Sequence, residues 1–200
     1  MRGSVKVWDP LVRIVHWSLA GCFFAAFLVE DGDTAHRWLG YTALALVAVR
    51  LAWGVVGSRH ARFSDWVRGP RAVMAYLRER RAGRSRRRLG HNPAAAVAML
   101  ALLVGIVLVG TTGWLQTTDR FFGAGWLEEL HELLAWGVLS LVGLHVLAAI
   151  VESVHYGENL VASMLHGRKR ALAPGDGEAP LPPSPADLPT ATPAARSGAG

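Results

Sequence analysis

The sequence predicts an all-α membrane protein, a bundle of four transmembrane helices with both termini on the cytoplasmic side. Three observations carry this. Hydrophobic residues make up 52% of the 200-residue chain, above the usual soluble share, and they gather in blocks. Four blocks approach the ~20 residues that a helix needs to cross ~30 Å of hydrocarbon. They run about Pro10–Val29, His36–Val56, Pro93–Leu115 and Trp126–Val154. Positive charge collects at the N-terminus, in the middle connection and after the fourth block, and the positive-inside rule puts all three in the cytoplasm.

The leading stretch MRGSVKVWDPLVR sets Arg2, Lys6 and Arg13 against Asp9 alone. Trp8 suits the membrane interface, and Pro10 suits the first helical turn, where its missing N–H does no harm. No cleavable signal is expected, because the first block lacks a small-residue cleavage site and carries His16 and Trp17. Cys22 is the single cysteine. It excludes an intrachain disulfide and a cysteine-built zinc or iron–sulfur cage. The lack of a C-x-x-C-H run excludes covalently attached haem.

A short acidic connection, Glu30–Thr34, leads into the second block, which ends at Gly57. The segment 58–91 then carries eleven arginines, opposed only by Asp65 and Glu79. Within it, Pro70–Arg81 has the pattern of a short amphipathic helix on an anionic membrane surface; a solvated topological anchor is the plainer alternative. No nucleic-acid partner is expected. In the third block Gly105, Gly110 and Gly113 allow close approach of a helix or a flat ligand. The loop 116–125 is short, with Asp119 and Arg120. A basic end at Arg168, Lys169 and Arg170 follows the fourth block. One domain is thus expected over 1–170, with a disordered Pro/Ala/Gly/Ser tail over 171–200.

With the topology set, each histidine has a depth. His131 and His145 are fourteen residues apart on the fourth block, close to four turns, so their rings share a face and lie ~21 Å apart along the axis. His36 opens the second block at the outer level of His131. His16, six residues into the first, matches the inner level of His145. The expected pairs are His36 with His131 and His16 with His145, each from two different helices, as bis-histidine haem ligation in a bundle requires. A single intramembrane histidine would more simply make an interhelical hydrogen bond; four matched in depth point to ligands. His60, His91, His155 and His166 fall outside the scheme and are expected at the surface.

Arg50, four turns after His36, and Arg13, one turn before His16, are inner-level candidates for a haem propionate. For Arg50 the alternative is snorkelling to lipid phosphate. Gly40 removes a side chain where a porphyrin edge would pass, or is a packing glycine. Trp17, Trp38, Trp53, Trp114, Trp126 and Trp136 lie mostly near helix ends, as an interface belt would. Glu30, Asp31 and Asp33, or Glu152, are candidate proton relays, with ordinary loop charge as the alternative.

The stretches RIVHWSLA, HRWLGYTALALVAVRLAWGVVGSRHARFSDWVRGP, HNPAAAVAML, LHELLAWGVLSLVGLHVLAAIVESV and ENLVASMLHGRKR resemble the bacterial cytochrome b561 family, which includes the b-type cytochrome subunits of nickel–iron hydrogenases. The resemblance spans about residues 5–170. It implies a four-helix cytochrome of the bacterial inner membrane with two non-covalent haems b, ligated by His16, His36, His131 and His145. It also implies electron transfer between the quinone pool and a redox partner, either a periplasmic c-type cytochrome or a hydrogenase-like subunit. An anchor subunit without quinone chemistry of its own is the alternative. Around His155 and Tyr156 the chain departs from the family pattern, which leaves a quinone site there open. The sequence leaves the oligomeric state open too, a homodimer included.

Overall fold

The structure, a computed structural model, describes residues 3–29, 33–58, 60–84 and 90–171. Arg2, Glu30, Asp31, Arg59, Arg86–Arg88 and the tail from residue 172 therefore lie outside the described residues. So do the relay reading of the two acids and the disorder expected of the tail. In chain order the elements are β1 (Ser4–Lys6), α1 (Pro10–Ala26), α2 (Thr34–Val56), α3 (Phe63–Trp66), α4 (Pro70–Arg81), α5 (Pro93–Gln116), α6 (Gly125–Tyr156), α7 (Leu160–His166) and β2 (Arg168–Arg170).

Three helices, α2, α5 and α6, are long and apolar enough to cross a membrane. The fourth apolar helix, α1, has 17 residues and stops short of the expected Val29. The chain leaves it through a tight turn in which the Leu28 N–H donates to the Ala25 carbonyl. Starts and stops follow local chemistry. Asp9 caps α1 by accepting from the Leu11 N–H, with Pro10 in the first turn. Asp33 caps α2, Asn92 caps α5 ahead of Pro93, and Asn159 caps α7. Gly157 closes α6 at φ 58°, a left-handed conformation that favours glycine.

The long helices pack in the order α1 on α2, α2 on α5 and α5 on α6. The ring meeting of His16 with His145 closes the set between α1 and α6. Close approach depends on two of the α5 glycines: a Cβ at Gly105 would stand 2.6 Å from Val138, and one at Gly110 2.6 Å from Leu44. Large apolar side chains such as Leu133, Leu144, Val104 and Val55 face outward, as lipid-facing positions would.

A two-stranded antiparallel ladder, which the sequence pattern does not announce, joins the N-terminal segment to the stretch after α7: Ser4 lies opposite Arg170 and Lys6 opposite Arg168. The Val7 and Trp8 N–H groups both donate to the Gly167 carbonyl, at 3.0 and 3.1 Å. At this ladder end the segment after α2 also folds back, setting the Phe63 ring where a Cβ at Gly54 would be. Helix α4 is tied to α6 by an ion pair of Arg80 with Glu152. The ladder end thus gathers the N-terminal segment, the arginine-rich connection and the chain after α6. Much of the fully buried set is here: Val7, Trp8, Ala61, Trp66, Tyr76, Ser163 and Lys169.

Candidate cofactor site: two histidine pairs

Four half-buried histidines meet two by two inside the helix set. The His36 and His131 ring centres lie 6.2 Å apart with planes at 68°. Those of His16 and His145 lie 6.5 Å apart with planes at 53°. Both members on α6 use the same helix face, and their partners come from α2 and α1. The rings that meet are those that the sequence spacing places at matching heights along the helices.

The far pair, away from the ladder, is held by main-chain carbonyls. His36 Nδ1 is 3.1 Å from the Ala26 carbonyl and His131 Nδ1 is 3.0 Å from the Val109 carbonyl. A carbonyl only accepts, so both Nδ1 atoms carry the proton and the ring lone pair sits on Nε2. Thr112 Oγ1, also 3.0 Å from His131 Nδ1, offers a second acceptor while its own proton goes to the Leu108 or Val109 carbonyl. Gly113 makes room for this arrangement: a Cβ there would stand 3.0 Å from His131 Cε1.

A cavity of about 380 Å³ opens beside this pair, with His36, His131, Gly40, Gly110 and Gly113 in its wall. That volume lies in the range of small-ligand pockets (~300–1,000 Å³). A Cβ at Gly40 would meet no atom within 4 Å, so this glycine leaves the cavity open rather than packing a helix. Arg37 and Glu132, next in sequence to the two histidines, also border the cavity. Glu132 accepts from the Trp136 indole at 3.3 Å. Sequence reasoning did not single out Arg37, Glu132 or Thr112, although adjacency to His36 and His131 could have found the first two.

The ladder-end pair has a different setting. His16 Nδ1 is shut off from solvent with no partner. Arg13 reaches across to the Leu165 carbonyl in α7, and its Nε is likewise buried without a partner. Arg50 donates through Nη2 to the Ala61 carbonyl at 3.2 Å and stands over the Phe63 ring at 5.0 Å, with Nη1 buried and unpartnered. Both guanidiniums thus turn to the ladder-end segments and keep one unmatched nitrogen each.

The surface placement expected of His60 and His91 is corrected: neither is an exposed residue. The His91 ring lies between those of Trp8, at 4.7 Å with planes at 48°, and Trp66, at 5.1 Å with planes at 52°, and its Nδ1 is buried without a partner. Burial, then the positive charges of Lys169 and Arg50, push its pKa down to about 3. The sequence hid this because the covering rings come from two distant segments. His155 and His166 are exposed as expected, and His60 is half-buried.

Two imidazoles binding one iron from opposite sides, each through a bond of ~2 Å, would have ring centres roughly 6 Å apart; the observed 6.2 and 6.5 Å fit. Among the described residues no group of three or more His, Cys, Asp or Glu side chains could hold a bare metal ion. Two facing imidazoles suit instead an iron that brings its equatorial ligands with it. Unmatched N–H groups of Arg13 and Arg50 at the ladder end suit carboxylates.

The model of one protein family, described as prokaryotic cytochrome b561, matches residues 7–167. Curated relatives include a protein of Rhodobacter capsulatus named "Probable Ni/Fe-hydrogenase B-type cytochrome subunit", 27% identical over 215 residues, covering 84% of this chain and 82% of that protein. Proteins of the same name from Bradyrhizobium diazoefficiens and Azotobacter vinelandii are 24% and 26% identical, covering 84% and 82% of this chain and 87% and 88% of their own lengths. No solved structure matches the chain.

Proposed function

Because the chain belongs to the prokaryotic cytochrome b561 family, we propose that it is a four-span, di-haem b-type cytochrome. In this reading it carries electrons across the bacterial inner membrane, both termini being cytoplasmic. The observation that carries the reading is the meeting of four histidines in two pairs at 6.2 and 6.5 Å, each from two helices. His36 and His131 hold one haem b, and His16 and His145 the other. Bound haem supplies one-electron chemistry. The chain's own residues do the rest. The Ala26 and Val109 carbonyls fix the proton on Nδ1 of the far-end rings and so aim Nε2 at the metal. Arg13 and Arg50 offer positive charge at the ladder-end level, and Gly40 keeps the far cavity open to a flat ring.

The family's hydrogenase-associated members favour a hydrogenase-like redox subunit as partner, with a periplasmic c-type cytochrome as the other candidate and the quinone pool at the opposite end of the electron path. The same names support a second reading, in which the chain anchors that subunit and has no quinone chemistry of its own.

A pyridine haemochrome assay with a redox titration on the purified protein tests the core of this. Two haems b per chain with low-spin spectra and two potentials are expected. His36→Ala or His131→Ala should remove one haem, and His16→Ala or His145→Ala the other. Retention of both haems in every single variant would show the pairing to be wrong.

A further inference from the structure

Three neighbouring side chains at the ladder end each hold a buried nitrogen without a partner: Arg50 Nη1, Trp66 Nε1 and His91 Nδ1. The Arg50 guanidinium carbon is 6.0 Å from the Trp66 ring centre, and the Trp66 and His91 rings are 5.1 Å apart. Trp66 is only 5% exposed and its Nε1 is shut off from bulk solvent. Arginine and tryptophan are donors only, so what they lack is an acceptor. A buried donor left unmatched is costly enough that native structures seldom keep one. The nearby carboxylates are engaged elsewhere, Asp65 with Arg62 and Glu152 with Arg80. Lys169, buried at 7% exposure with its ammonium 5.0 Å over Trp8, adds positive charge on the outer side. His91 is kept neutral by its burial, so it joins as an N–H donor and not as a further cation.

We infer that Arg50, Trp66 and His91 form a cradle for one anionic oxygen-bearing group, a carboxylate or a phosphate, under the cover of Trp8. On the cytochrome reading, the carboxylate is a propionate of the haem held by His16 and His145. The alternative source of the same chemistry is a phosphate.

The test uses the full chain in detergent, prepared without haem and reconstituted with haem b or with its dimethyl ester, which has no carboxylates. Occupancy is read from the absorbance spectrum. The cradle predicts that the ester binds more weakly than haem b at the site that His145→Ala abolishes. Trp66→Phe and His91→Phe keep a ring in the tilted packing and delete one donor each, and either should shrink that preference roughly tenfold. In a second arm, inorganic phosphate is added to the haem-free chain. A rise in thermal midpoint that both variants lose would assign the cradle to phosphate. Equal binding of haem and ester at both sites, with no response to phosphate, would overturn the cradle and leave the cytochrome reading standing. If neither haem form binds, it is the cytochrome reading that falls, and the phosphate arm alone decides the cradle.

Discussion

At the scale of single residues, two hydrogen-bond acceptors decide how firmly His131 is aimed. The Val109 carbonyl and Thr112 Oγ1 both stand 3.0 Å from its Nδ1. Thr112→Val removes one acceptor and leaves the carbonyl, so the proton stays on Nδ1. Loss of such an outer partner lowers metal affinity by about 10-fold at the mild end of the usual range. We expect Thr112→Val to weaken haem retention at the far pair by that order or less, and to leave the other pair unchanged, as dilution and spectral titration would show. The four histidines were legible in the sequence because a helix converts residue spacing into depth and face. His91 was not. Nothing in its neighbourhood in sequence, an arginine-rich connection on one side and Asn92-Pro93 on the other, hints that Trp8 and Trp66 will enclose it.

At the scale of elements, α4 shows how an amphipathic helix on the polar side is held. Tyr76 is buried at 4% exposure, and Arg80 one turn later pairs with Glu152 of α6. Burial, and after it the charge of Glu152, raises the Tyr76 phenol pKa above its usual value. The opposite side exposes Met74 and Leu77 together with Arg71, Arg78 and Arg81. Glu152→Gln keeps the shape of the α6 residue and removes its charge. It should loosen α4 by about 1 kcal/mol, the upper end for a partly exposed pair, and speed proteolytic cleavage within 67–84 without changing haem content. The blocks α2, α5 and α6 were readable from hydropathy alone, since crossing a bilayer demands a long uninterrupted apolar run. The β1–β2 ladder was not, because Arg168-Lys169-Arg170 and Ser4-Val5-Lys6 are too short and too polar to show alternation.

At the scale of the whole molecule, the tightly packed region is the ladder end, where three segments gather and Trp8 and Trp66 flank His91. A histidine whose folded pKa is lowered to about 3 from 6.5 binds its proton more readily in the unfolded chain. The stability that this residue contributes is therefore fully present above about pH 6.5, falls as the pH drops from there toward 3, and levels off below that. Thermal unfolding of the haem-free chain across this range should show the decline, and His91→Phe should flatten it; an unchanged slope would mean that the closure does not depend on a neutral ring. A last consequence follows from α6, whose 32 residues extend ~48 Å and carry one member of each pair. On the di-haem reading, one rod would fix the interval between the two irons, and a rod of this kind is graduated in whole turns. Lengthening the interval by a single residue would swing one ring ~100° out of register, whereas four residues would nearly restore its bearing, ~6 Å further on. On that reading the distance an electron must cover is a stepped quantity, and within one step only the surroundings of each pair remain for gradual adjustment.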